Sequence, residues 1–313
     1  MIDWKAIERE RTRLSWLSTL YGFLAGVFKA FVEMYSFFFW VFVFLPFLAK
    51  IFLKKDTWAW YWYLIFTFVF LFQGIPYVIF SIAEENTYKR WRRYFFKHAL
   101  LPFIKSNLPG FRYKYRKFFS RDEFLASYLF HDSPFPEDYT GGDYLKGSYK
   151  GKPLECSWVS CGYYTTDRDG NSVYVNIFKG LILKLNFHKS LDGALLLYPD
   201  GPFSLKGFNR YRLDSEEFNR SFHVYSDSEF TAFYVLDHAL MERLVKFKRA
   251  YPNARFSFVK NTLYIALPDF YLFYIPAINQ SVLKIEKEYK QNLSLFFSLL
   301  DVLDIERMSV KLS

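Results

Sequence analysis

Two long apolar runs near the start of the chain limit what it can fold into more than any other feature. Residues Phe31 to Leu53 read FVEMYSFFFWVFVFLPFLAKIFL, and Trp58 to Ile82 read WAWYWYLIFTFVFLFQGIPYVIFSI. Each matches the ~20 residues that cross a ~30 Å hydrocarbon core as a helix, and the second carries no charge. The expectation is two transmembrane helices, at about residues 31–53 and 58–82. A cleaved signal peptide fits poorly: the first run is too long, lies too far from the start and has no small-residue cleavage site after it. Trp58, Trp60, Tyr61, Trp62 and Tyr63 gather at one end of the second run, the level of an aromatic belt.

Only Lys54, Lys55, Asp56 and Thr57 separate the runs, so the spans form a hairpin with both ends on one side. The turn offers Lys50, Lys54 and Lys55, whereas the outer flanks carry Lys5, Arg9, Arg11, Arg13 and Lys29, then Lys89, Arg90, Arg92, Arg93 and Lys97. Positive charge therefore places both termini in the cytoplasm, with about 230 residues following the hairpin there. Leu14 to Phe28 is apolar enough to extend the first helix backwards, so residues 1–83 read as a juxtamembrane helix and a two-helix anchor. The two cysteines, Cys156 and Cys161, suit a reducing compartment and offer no disulfide framework.

Residues 84–130 read as a basic helical collar. Between Asn86 and Arg121 there are eleven lysines and arginines and no acid, which accounts for the formal net charge of +10 of the chain. Lys89, Arg90, Arg92, Arg93 and Lys97 are the candidate lipid contacts, each worth ~1 kcal/mol against the anionic inner leaflet. Cations interleaved with aromatics (YKRWRRYFF, FRYKYRKFF) also suit nucleic acid, but adjacency to a membrane helix favours lipid, or a purely topogenic role.

From residue 131 to 313 the pattern changes to α+β, with an antiparallel β meander and flanking helices. Ser120-Arg121-Asp122-Glu123 forms a capping box that starts a helix through Phe130. Val173, Val175 and Ile177, then Leu183, Leu185 and Phe187, alternate with polar neighbours as half-buried strands. Lys150-Gly151, Asp169-Gly170 and Lys260-Asn261 supply turns. Asp237 starts a helix ended by Pro252-Asn253, and a long amphipathic helix is expected over 280–304.

No catalytic, cofactor-binding or metal-ligating constellation is legible. The two cysteines sit five apart on a strand, facing opposite ways; the five histidines are scattered, with His223 expected on a solvent face; no nucleophile elbow, P-loop or dinucleotide fingerprint occurs. Tyr139-Thr140-Gly141-Gly142-Asp143 resembles the turn of the GGDEF nucleotide cyclases. Tyr144 stands where that chemistry needs a second acid, and no acidic partner strand lies upstream, so the cyclase reading is excluded. Gly141 and Gly142 are expected to give a flexible lead into a strand starting at Tyr144 and Leu145, with Asp143 accepting from nearby backbone amides.

Tyr139, Gly141, Asp143 and Gly147, followed by Phe178-Lys179-Gly180-Leu181, resemble an uncharacterised bacterial family of unknown function with two N-terminal membrane helices and a cytoplasmic α+β domain. Phe218, Phe222, Val224, Tyr225, Ser226 and Asp227, then MERL at 241–244 and LYIA at 263–266, are similar to its second half. The resemblance runs from the first helix to about residue 275. It implies a bacterial inner-membrane location and carries no activity to transfer. The resulting expectation is a non-enzymatic, multi-pass inner-membrane protein without cofactors, presenting a scaffold domain to a protein partner or anionic lipid, with homo-oligomers allowed. The alternatives are a membrane-anchored enzyme built on Asp143, Asp169, His188 or Asp200, and a membrane-associated nucleic-acid binder.

Overall fold

Asp3 caps the first helix: its carboxylate accepts the Ala6 N–H at 2.9 Å, and α1 then runs unbroken over Trp4–Phe39. The computed structural model describes residues 2–39, 59–186 and 190–303, and its second helix, α2, covers Ala59–Phe95. The described residues form two units. One comprises the chain up to Phe103 with Ile275–Ile285, the other Ile104–Tyr274 with the residues from Glu286 onward.

In the helical unit α1 and α2 pack antiparallel. The Trp4 and Phe95 ring centroids lie 6.4 Å apart, Glu10 reaches Arg90 at 3.8 Å, and Phe28 stacks on Phe80 at 5.8 Å. Ile7, Leu14, Ser18 and Ala25 are buried on α1, spaced seven, four and seven residues apart, which is the narrow seam of a helix facing one partner. Other apolar side chains point outward: Trp16, Phe23, Phe31 and Met34 on α1, Phe72, Ile75, Val78, Ile79 and Ile82 on α2.

Among the described residues one segment, Trp4–Met34, is long and apolar enough to cross a membrane, where the sequence predicts two spans at 31–53 and 58–82. The apolar part of α1 begins at Leu14 and its helix is continuous, so the candidate span lies earlier than expected. Residues 40–58, with the end of the first expected span and the turn at Lys54–Thr57, lie outside the described residues. From Ala59 onward the second expected span falls within α2, which continues past Ile82 to Phe95; Trp58 lies outside the described residues.

The basic collar is not helical throughout. A π-helical turn at Phe96–Leu100 and α3 at Leu101–Asn107 carry the helix to its end before Pro109-Gly110. Arg112–Lys114 then forms strand β1 and Arg121–Ala126 forms α4, whose Ser120–Glu123 capping box is complete. Helix α4 stops four residues short of the expected Phe130, with Tyr128 at φ 55° beyond its end.

The second unit is built on a nine-stranded, wholly antiparallel sheet. Strands β2 (Asp138–Tyr149), β3 (Lys152–Thr166) and β4 (Ser172–Asn186) form the expected meander, turning at Lys150-Gly151 and around Asp169-Gly170. The two alternating segments around Val175 and Leu183 are one strand, β4. Beyond them come β5 (Ala194–Tyr198), β6 (Asn209–Tyr211), β7 (His223–Ser226), β8 (Arg255–Val259) and β9 (Thr262–Pro268). The spatial order β1-β2-β3-β4-β9-β8-β5-β7-β6 departs from a meander after β4, because β9 pairs with β4 and brings β8 in beside β5.

Short helices α5 (Glu216–Ser221) and α6 (Glu229–Val235) flank β7, capped by Ser215 and Ser228. Helix α7 (His238–Ala250) starts at the Asp237 cap and sets Phe247 against Phe256 of β8, ring centroids 5.1 Å apart. The final helix, α8, covers Ile285–Val302 rather than 280–304, since the residues before it belong to the helical unit. Its Tyr289, Phe296 and Leu300 are buried, and Asn292 donates to the Tyr271 carbonyl at 2.9 Å. It docks on its own unit.

Candidate functional site

The charged end of the helix pair gathers the five lipid-contact candidates. Trp91 and Phe95, four apart, turn inward and are buried, which leaves Lys89, Arg90, Arg92 and Arg93 exposed on the remaining surface of α2 and Lys97 exposed on the π-helical turn after it. Two of the five are paired, Lys89 with Glu85 at 2.6 Å and Arg90 with Glu10 of α1 at 3.8 Å. Arg93 donates to the Lys89 carbonyl at 3.3 Å. Arg92, Arg93 and Lys97 have no ion-pair partner among the described residues, so they keep their charge available to an anionic surface.

A segment from the far end of the chain covers this end of the pair. The buried Trp91 indole N–H donates to the Pro276 carbonyl at 2.9 Å, and Arg11 Nη1 donates to the Ile278 carbonyl at 2.7 Å. Glu8 accepts from Arg11 at 2.8 Å and from the Val282 N–H at 2.9 Å. Nothing local in the sequence signals this clasp; its one trace is a pair of acids and arginines (ERERTR) ahead of an apolar helix.

The stretch from Tyr139 to Gly147 lies inside β2 and does not lead into it, because pairing with β3 begins at Asp138. Tyr139 is partly buried against the rings of Phe118 and Phe124, at 5.8 and 5.4 Å, and its hydroxyl donates to the Phe119 carbonyl at 3.0 Å. A Cβ at Gly141 would lie 2.5 Å from the Trp158 carbonyl oxygen and 2.7 Å from the Phe118 ring; one at Gly142 would lie 2.9 Å from the Tyr115 carbonyl. The glycines are therefore required by close approach of β3 and of the connector after β1. Flexibility is not the reason, and the left-handed residue is Asp143, at φ 55°. Gly147 likewise faces the ring of Phe111, 2.5 Å from where its Cβ would be.

Between Gly142 and Leu145 the pairing register with β3 shifts by a bulge. The connector fills the gap: Asp143 N–H donates to the Tyr115 carbonyl at 3.0 Å and Tyr144 N–H to that of Lys117 at 3.1 Å. The bulge re-aims two side chains. Tyr144 joins Phe119 and Val159 in the core and donates to Glu155 at 2.6 Å. Asp143 accepts from the Tyr113 hydroxyl of β1, where backbone amides were expected. Burial raises its carboxyl to about 6, the Tyr113 hydrogen bond offsetting part of that.

The remaining candidates are dispersed. Asp169 is exposed at the β3–β4 tip, Asp200 is exposed after β5, and His188 lies outside the described residues. His223 is half-buried, not on an open face, with Nδ1 3.1 Å from the Gly201 carbonyl. Cys156 and Cys161 are free and buried, and burial pushes the Cys161 thiol to about 12. Among the described residues no cluster of three metal-ligating side chains occurs.

These features define an α+β protein with two units, a helix pair that exposes apolar side chains and a large antiparallel sheet. The family model described as "Protein of unknown function (DUF3137)" matches residues 176–305, from within β4 through α8. The match includes the final helix, which lies beyond the resemblance expected from sequence, and leaves Tyr139–Gly147 and both long helices outside it. Among curated proteins none matches the chain. A solved structure similar to it is the crystal structure of the mycobacterial trehalose monomycolate transport factor A, TtfA, at 15% identity and a TM-score of 0.32, covering 64% of this chain and 92% of that one. At that score the likeness carries no argument.

Proposed function

We propose that the chain is a non-enzymatic membrane scaffold: α1 and α2 sit in the bacterial inner membrane as a two-helix anchor, and the sheet unit is presented in the cytoplasm to a protein partner. The observation that carries this reading is where the outward apolar side chains stop. On α1 they begin at Trp16, just after Arg13, with the exposed Lys29–Glu33 pair among them; on α2 the aliphatic ones end at Ile82, just before Glu84 and Glu85, with the amphipathic Tyr88 beyond. The antiparallel packing brings those two limits to the same end of the pair, with the Arg90–Glu10 pair on the polar side. A water-soluble helix pair has no use for such a shared level, whereas a bilayer surface imposes one. Arg92, Arg93 and Lys97, which have no ion-pair partner among the described residues, then meet anionic headgroups, and both termini are cytoplasmic.

Fractionation tests the anchor. Intact chain is expected to resist extraction by carbonate and by high salt and to dissolve in detergent; release by carbonate would sink the reading. For the orientation, an Asp3→Cys variant should react with a membrane-impermeant maleimide in permeabilised cells and not in intact ones, the two native thiols being buried.

A further inference from the structure

The free edge of the sheet at β6 borders a concave groove of about 700 Å³, within the ~300–1,000 Å³ usual for small-ligand sites. Its walls include Arg210 and Arg212, with Asn209, Phe203, Phe208 and Tyr211, and among the described residues no acidic side chain lines it. Among the described residues neither guanidinium has an ion-pair partner. That contrasts with Arg220, Arg249 and Arg255 of the same unit, which pair with Glu216, Glu217 and Asp132. Arg210 lies opposite Tyr225 in the register of β6 on β7, and Arg212 directly follows the last residue of β6, so the two cations stand two residues apart on the groove wall. Phe203 on the rim is 88% exposed, an apolar wall without a covering neighbour.

We infer that this groove binds a phosphate-bearing ligand, the phosphoryl group held between Arg210 and Arg212. Two guanidinium forks offer more donors than one carboxylate can accept, while a phosphate's several oxygens and greater charge match both. The aromatic walls suit the organic part of a phosphate ester. An acidic peptide added as a tenth strand fits less well, because β6 is three residues long and offers few backbone bonds. The chemistry is shared by lipid headgroups and soluble phosphate compounds. It stands independently of whether α1 and α2 span a membrane.

The test is titration calorimetry on the full chain in non-ionic detergent, with inorganic pyrophosphate, with dioctanoyl phosphatidic acid, and with hexaglutamate. Saturable binding of pyrophosphate alone points to a soluble ligand, of phosphatidic acid alone to a lipid, and of both to recognition of the phosphate itself. In each case the R210Q/R212Q variant should bind at least about tenfold more weakly, as loss of charge-assisted hydrogen bonds implies. Its thermal unfolding should be unchanged, and K152Q/R168Q, which removes two cations elsewhere, should bind normally. Should the double variant fail to fold, R212Q alone carries the same expectation. The inference is overturned if neither phosphate probe saturates, if hexaglutamate binds in their place, or if both double variants weaken binding equally.

Discussion

Tyr113 on β1 donates its hydroxyl hydrogen to the carboxylate of Asp143, a largely buried acid held at φ 55° in the bulge of β2. The pair ties the edge strand of the sheet to the one place where β2 loses its register with β3. It also leaves an ionisable group in a site that disfavours its charge.

That disfavour has a sign. Burial raises the Asp143 carboxyl from 3.8 to about 6, so between those values the native chain holds a proton that the unfolded chain has released. Stability from this group is fully present below about pH 4 and falls as pH rises through about 6, by roughly 3 kcal/mol. Asp143→Asn keeps an acceptor for Tyr113 and tolerates a left-handed backbone. Urea denaturation between pH 4 and 7 should therefore show a flatter pH dependence for this variant than for the native chain. An unchanged slope would remove Asp143 as its source.

Gly141→Ala places a methyl group 2.5 Å from the Trp158 carbonyl and against Phe118, and neither neighbour is free to leave. One is a backbone atom in the β2–β3 pairing, the other belongs to the connector that fills the bulge. Overpacking of this kind costs about 1–3 kcal/mol, read as a lower urea midpoint at constant slope. A variant as stable as the native chain would show that close approach is not why glycine stands there.

Local chemistry was legible in the sequence and long-range pairing was not. Ser120 and Asp237 cap helices where their side chains said they would, and Lys150-Gly151 turns β2 into β3, because each acts within a few residues. Arg112–Lys114, in contrast, reads as part of a cationic collar, and only its pairing with Lys146, Leu145 and Tyr144 makes it a strand. The same holds for Tyr113 as the partner of Asp143, thirty residues away, and for β9 beside β4. Charge and adjacency to an apolar helix single out the lipid-contact candidates in the sequence; what separates Arg92, Arg93 and Lys97 from Lys89 and Arg90 is the position of Glu85 and Glu10, the latter on another helix.

Trp91→Phe retains the buried ring and removes the N–H that holds the Pro276 carbonyl. The loss of one buried hydrogen bond costs about 1 kcal/mol. Its local effect is more diagnostic: hydrogen exchange in residues 275–285 should quicken, while the central strands β3, β4 and β9 keep their protection. Uniform loss of protection across both units would mean that the indole N–H acts globally instead of fastening this segment.

Helix α8 presents two faces whose substitutions should behave differently. Phe296 is fully buried, so Phe296→Ala should cost about 3–5 kcal/mol. Asp301 accepts from Tyr149 and Lys150, both at 2.8 Å, but the ion pair is about half exposed, and Asp301→Ala should cost less than ~1 kcal/mol. Deleting α8 would strip a buried face from the sheet unit, so a shortened chain that fails to capture a partner reports on unfolding. Leu295 is 41% exposed on the same helix. Leu295→Glu should leave the unfolding midpoint unchanged; if it abolishes capture of a partner, the outer face of α8 is the contact surface, and if capture persists, the partner binds elsewhere on the sheet unit.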